Sequence, residues 1–226
     1  MKSDFQTKWI FNDAVGIFLG ILVASAIIFF EIQLIGQPES LSEKIVNVSV
    51  ALIGGLITGS ILAWFQYGTL RKRYAGLSWK RWWGNTALAF TAGWFIAIIP
   101  SLSFSGSYGF EQVVLPFGLP TYAMVYGSIL LGAIMGALIG TAQWLILRKH
   151  RERARRWIGM NIFGWAFGAF IMTMSGLLYP GTELLNVMLM VAGVGGLLTA
   201  LVLAGITSYF FRLPSAASSD HGRMPR

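Results

Sequence analysis

Few side chains in this sequence have the chemistry to react, and their positions narrow what that chemistry is. There are two histidines, His150 in a dense basic turn and His221 close to the C-terminus, and no cysteine. Thiol reactions, disulfides and Cys-based metal sites are therefore excluded, and the redox compartment is not encoded. No H-E-x-x-H, G-x-S-x-G or P-loop sequence is present. Asp13 and Glu31 are the acids inside the first apolar stretch, and each stands near one of its ends. A proton relay or metal site in a membrane needs ionisable groups at mid-depth, and none is expected from this pattern. Histidine ligands for haem or chlorophyll are absent from the apolar runs. No catalytic, metal or cofactor-binding residue is assigned, and the chain reads as a non-enzyme.

What remains is a set of amides at similar places in long apolar runs: Asn12, Gln66, Asn85, Gln143 and Asn161. They predict a polar layer about one helical turn in from one end of the molecule. Such a layer could line a vestibule for a ligand. The simpler chemistry is hydrogen bonding between helices, worth about 0.6 kcal/mol per bond on average, and that is the preferred reading.

The elements that must carry these residues follow from composition. Charged residues make up 12% of the 226, about half the usual share of a soluble domain. Uncharged runs cover Ile45–Leu70, Trp82–Phe110, Gln112–Leu147, Trp157–Thr182 and Leu184–Phe211. Each exceeds the roughly 20 residues that span a bilayer. A shorter run, Ala14–Phe30, extends at both ends. Ala24-Ser25-Ala26 resembles a signal-cleavage site, but the apolar run continues past it, so the segment reads as a retained first span. The expectation is an all-α integral membrane protein with six transmembrane helices: about Trp9–Ile35, Ile45–Leu70, Trp82–Phe104, Thr121–Leu147, Trp157–Tyr179 and Glu183–Phe211. Residues 1–213 form that domain, and residues 214–226 form a disordered cytoplasmic tail.

Of the 17 Lys and Arg, all but Lys44 fall at the N-terminus, in Arg71–Arg81, in Arg148–Arg156, or beyond residue 211. That asymmetry places both termini and both basic turns in the cytoplasm, in a bacterial cytoplasmic membrane or a thylakoid-type membrane. The net charge of +8 is thus a topology signal rather than a nucleic-acid footprint. Anionic headgroups are the nearest acidic partners for Arg71, Lys72, Arg73, Arg148, Lys149, Arg151, Arg155 and Arg156, at about 1 kcal/mol per basic residue. The connection from Ser105 to Pro120, almost uncharged, is expected to lie on or dip into the opposite membrane surface.

Small residues recur in register. Gly55, Gly59 and Ala63, then Gly132, Gly136 and Gly140, then Gly196, Ala200 and Ala204 each precede a basic residue (Arg71, Arg148, Arg212) that lies sixteen positions after the first small one. Gln66 and Gln143 occupy equivalent places, with Thr207 as the third counterpart. The other helices open with Lys8-Trp9, Arg81-Trp82 and Arg156-Trp157, followed seven and eleven positions later by Gly16 and Gly20, Ala89 and Gly93, Gly164 and Gly168. Small residues four apart let helix backbones approach closely in lipid. The pattern predicts three parallel hairpin repeats, 2–3, 4–5 and 6 with 1, in a pseudo-threefold ring.

The stretch Gly132, Gly136, Gln143, Trp144, Leu145, Leu147 and Arg148 resembles multi-pass bacterial membrane proteins, cyanobacterial ones among them, whose helices repeat G-x-x-x-G followed by Q-W-L-x-L-R. Helix 2 departs from the motif with Tyr67 in place of Trp, and helix 6 lacks the Gln. The resemblance implies the repeat architecture and brings no activity with it. Two functional expectations follow. The first is a non-catalytic subunit or assembly factor that packs against a larger membrane complex or against lipid. The second is a small transporter, channel or importer substrate-binding subunit for a neutral or hydrophobic solute. Bound lipid, carotenoid or quinone against the aromatic surface is compatible with either.

Overall fold

The computed structural model describes residues 2–36, 38, 40–103, 121–179 and 183–212. Among these the secondary structure is entirely helical. The helices are α1 Lys2–Leu34, α2 Leu41–Leu70, α3 Trp79–Ser103, α4 Thr121–Leu147, α5 Arg156–Leu177 and α6 Leu184–Tyr209. All six are long and apolar enough to cross a membrane. The expected outer connection from 105 to 120 and the expected tail from 214 lie outside the described residues.

The helix boundaries have local causes. α1 starts before Trp9 because Asp4 and Lys8, one turn apart, form a 2.8 Å ion pair that continues the helix. It stops at Gly36, whose φ of +69° an L side chain rarely adopts. α2 begins at Leu41 because Ser40 and Glu43 close a capping box: the Glu43 N–H donates to Ser40 Oγ and the Ser40 N–H to Glu43 Oε2. Gly76, with φ +80°, shapes the turn into α3. Within α6, Met190–Gly195 forms a π-helical segment, a local widening that the sequence pattern did not foretell.

Each helix packs on its chain neighbours, and α1 also packs on α6. The registered glycines stand at these contacts. A Cβ on Gly55 would lie 2.6 Å from Thr91 Cα, and one on Gly59 would lie 2.8 Å from Ala87 Cα, both on α3. Gly132, Gly136 and Gly140 meet the α5 backbone at Trp165, Asn161 and Ile158. Gly196 faces Ile21 of α1. Gly164 and Gly168 face Leu203 and Thr199 of α6, while α4 meets a different side of α5 at Ile158, Asn161 and Trp165. Gly68, Gly127, Gly159 and Gly205, outside the registers, meet nothing within 4 Å.

Two clusters fill the interior. One, at the end with the basic turns, gathers Trp9, Trp82, Trp157, Leu77, Ala154, Phe210 and Phe211. The other lies further along the helices around Ile17, Leu62, Phe90, Ile139 and Leu203. A layer of polar side chains joins them.

Candidate functional site

Trp9, Trp82 and Trp157, each the second residue of its Lys/Arg-Trp pair, are fully buried. Trp9 and Trp157 pack edge to face at 5.7 Å, and Phe210 and Phe211 close over them. One turn further along the same helices come Asp13, Thr86 and Asn161, each four residues after its tryptophan and each buried. The facing helices supply Gln66, Gln143 and Thr207, also buried.

Seven of these nine tryptophan and polar side chains, all but Trp82 and Asn161, form a single hydrogen-bonded chain with a determinate direction. An indole can only donate. Trp157 Nε1 donates to Gln143 Oε1 at 2.9 Å, so the Gln143 amide nitrogen points away, donating to Gln66 Oε1 at 2.8 Å and to Thr86 Oγ1 at 3.1 Å. Gln66 must then present its own nitrogen to Asp13 Oδ1, at 2.8 Å. From the other side Trp9 Nε1 donates to Thr207 Oγ1 at 3.1 Å, and that hydroxyl donates to Asp13 Oδ2 at 2.8 Å. Both donor series end on the Asp13 carboxyl group. Among the described residues Asp13 makes no ion pair; neutral donors alone hold it.

The expected layer is therefore present in part and differently composed. Gln66 and Gln143 are its spine. Asn161 is buried beside it, but its amide nitrogen donates to the Trp157 carbonyl of its own helix at 2.9 Å. Asn12 is half-buried and donates to Thr69 Oγ1 at 2.8 Å, tying α1 to α2 beside the layer. Asn85 is not part of it: its amide donates to the Arg81 carbonyl, at the surface of its own helix. At about 100° per residue the fourth residue past a tryptophan stands about 40° from it and the third about 60° to the other side, and on α1 and α3 it is the fourth that is buried. The positions that the amides pointed to on α1 and α3 are thus replaced by Asp13 and Thr86. The signal that would have found them was already in Asn161, the one amide at the four-residue spacing. Asp13, an acid near a helix end by sequence, is fully buried.

The basic residues are partly committed to the protein itself. Arg73 lies 4.5 Å from the Phe5 ring centroid and 5.4 Å from that of Phe211. Arg151 lies 4.3 Å from Phe210 and Arg148 lies 5.1 Å from Trp144. These contacts fasten both basic turns over the aromatic cluster. Arg71, Lys72, Lys149, Arg155 and Arg156 are exposed. Two shallow apolar grooves open sideways. One lies between α1 and α2 around Leu19, Ser60 and Trp64, and the other, of about 530 Å³, lies between α3 and α4 around Leu88, Ala137 and Leu145. No cluster of three or more metal-ligating side chains occurs among the described residues.

Comparison of the chain with protein-family models, with curated proteins and with solved structures returns no match. The function has to be argued from the polar layer and the surfaces around it.

Proposed function

We propose that this chain is a non-catalytic integral membrane protein that supplies contact surface to a larger membrane assembly and to anionic lipid. The observation that carries the reading is where its polarity goes. Gln143 has both its acceptor oxygen and its two amide hydrogens bound to Trp157, Gln66 and Thr86, so the layer's central side chain offers nothing to a solute. The outward faces instead carry large apolar groups, with Leu88 69% exposed and Trp64 and Tyr126 each 68% exposed. The groove between α3 and α4 runs toward Arg81 and Arg148, which suits an acyl chain with its phosphate at the basic end.

The finer architecture belongs to the same proposal: three hairpins, α2–α3, α4–α5 and α6 with α1, in a pseudo-threefold ring. Its support is the contact between α1 and α6, together with the shared tiers of Trp82, Trp157 and Trp9, of Thr86, Asn161 and Asp13, and of Gln66, Gln143 and Thr207. A circular permutant joined through the termini and opened at Gly76 would keep every one of these neighbours and should still fold. Both termini face the cytoplasm in this reading, so cysteines introduced at Ser78 and Ser40 should label from opposite sides of the membrane.

The deciding experiment pairs purification from native membranes in mild detergent with reconstitution of the isolated chain in liposomes. A stoichiometric membrane-protein partner without solute flux supports the subunit. Saturable flux of a neutral solute by the isolated chain, abolished by Gln143→Leu, replaces it with the transporter.

A further inference from the structure

We propose that Asp13 is a reversible proton-binding site, with the Thr207 hydroxyl as the switch that satisfies both of its forms. The geometry around Thr207 Oγ1 carries the inference. That atom lies 2.8 Å from Asp13 Oδ2, 3.1 Å from the Trp9 indole nitrogen and 3.2 Å from the carbonyl oxygen of Ala204. A hydroxyl has one hydrogen and two lone pairs, and three partners at these distances can be arranged in two complete ways.

With Asp13 charged, the Thr207 hydrogen points to Oδ2, Gln66 Nε2 donates to Oδ1 at 2.8 Å, and the carboxylate accepts two bonds. With Asp13 neutral, the proton resides on Oδ2 and is donated to Thr207 Oγ1. The Thr207 hydrogen rotates to the Ala204 carbonyl, the indole of Trp9 still donates to Oγ1, and Oδ1 still accepts from Gln66. One proton is gained from water at the basic end of the molecule and one hydroxyl turns. No buried group loses its partner in either state. An ordinary buried carboxyl lacks this property, since protonation leaves its new hydrogen or its former donor unpaired, at a cost of about 1–3 kcal/mol.

The groups facing Asp13 from the two helices packed on α1 are Gln66 and Thr207, neither of them charged. Along their own helices the nearest basic residues, Lys8, Arg71 and Arg212, stand five positions further out, and Lys8 is paired with Asp4. No fixed positive charge in the layer therefore locks Asp13 in its ionised form. Half-buried polar pairs flank it toward the basic end: Asn12 with Thr69 on one side, and Gln6 with the Ser208 carbonyl on the other. Through Gln66 the same carboxyl ends the chain of bonds that reaches Gln143 and Trp157, so its protonation state is felt on α2, α4 and α6 together.

Infrared difference spectroscopy of the purified full chain tests the site, over a range from about pH 2.5 to about pH 9 that brackets the ordinary aspartate value of about 3.9. Asp13→Asn is the reference, because its amide can accept from Gln66 and donate to Thr207, reproducing the neutral form without a titrating proton. The wild type minus Asp13→Asn spectrum should contain one protonated-carboxyl carbonyl band that grows on acidification. Thr207→Ser should leave its midpoint close to that of the wild type. Thr207→Val should move the midpoint to higher pH, since the charged form loses the stronger hydrogen bond. Glu31→Gln should leave the band in place. A wild type minus Asp13→Asn spectrum with no titrating carbonyl band overturns the proposal, as does a Thr207→Val midpoint that coincides with the wild type. Should Thr207→Val fail to fold, the wild type and Asp13→Asn spectra still decide, together with the thermal midpoint, which should depend more steeply on pH in the wild type.

Discussion

The hairpins α4–α5 and α2–α3 use the same plan and reach different ends. In α4–α5 three glycines seat one helix on the backbone of the other, and Gln143 accepts the indole of Trp157. In α2–α3 two glycines do the seating, with Ala63 in the third place, and Gln66 stands eleven residues after Gly55, as Gln143 does after Gly132. Yet the indole nitrogen of Trp82 is buried with no hydrogen-bond partner among the described residues. Gln66 has turned its oxygen to Gln143 and its nitrogen to Asp13. An indole can only donate, so Trp82 would need the Gln66 oxygen, and the Gln66 nitrogen is of no use to it. The α4 glutamine therefore holds the one atom of Gln66 to which the Trp82 indole could donate. Near-equivalent sequence gives the tryptophan that opens the second helix a partner in one hairpin and none among the described residues in the other.

The comparison can be broken at its base by Gly136→Leu. The new Cβ falls on the Asn161 carbonyl and Ile162 Cα, both main-chain atoms that cannot rotate away. The loss should reach or exceed the upper end of the roughly 1–3 kcal/mol typical of overpacking, read as a large fall in thermal midpoint in detergent. Gly127→Leu, at a position with open space, should be tolerated; equal midpoints for the two variants would remove close packing as the reason for the glycine register.

Gln143→Leu removes three interhelical or cross-layer hydrogen bonds at once. At about 0.6 kcal/mol per bond the loss is near 2 kcal/mol, and the stranded indole of Trp157 adds to it. The same measurement on Gln66→Leu should give a comparable loss, because it frees Asp13 from one of its two donors.

A sharper contrast comes from the tryptophans themselves. Trp157→Phe and Trp82→Phe remove the same volume from fully buried sites, but only the first breaks a bond. Trp157→Phe should be the more destabilising by about 1 kcal/mol, the worth of one hydrogen bond. If Trp82→Phe costs as much, the indole of Trp82 has a partner and the asymmetry between the hairpins disappears.

The smallest effect belongs to Asn85→Ala. Among the described residues its amide bonds only to the Arg81 carbonyl one turn back, so the change should stay within about 0.5 kcal/mol. Asn161→Ala, which empties a buried position under Gly140, should cost distinctly more by the same thermal measurement.

The amino-acid sequence by itself determined the number and approximate extent of the helices, because runs such as Ile45–Leu70 and Leu184–Phe211 are too long and too apolar for any other element. It also determined which glycines have to face a neighbour, since a four-residue spacing keeps Gly132, Gly136 and Gly140 on one side of a helix whatever its surroundings. The tertiary structure alone decided which neighbour: Gly164 and Gly168 face α6, while α4 meets a different side of α5. It also decided the composition of the polar layer. One position along a helix rotates a side chain by about 100°, and which of two adjacent residues points inward depends on how the helix is turned between its two partners. That rotation put Asp13 and Thr86 in the layer, left Asn12 beside it and Asn85 outside it. The direction of the hydrogen bonds was beyond the sequence for the same reason. Gln66 is chemically able to accept from Trp82, but its oxygen faces Gln143 of α4 and its nitrogen faces Asp13 of α1, partners distant in the chain and adjacent in space.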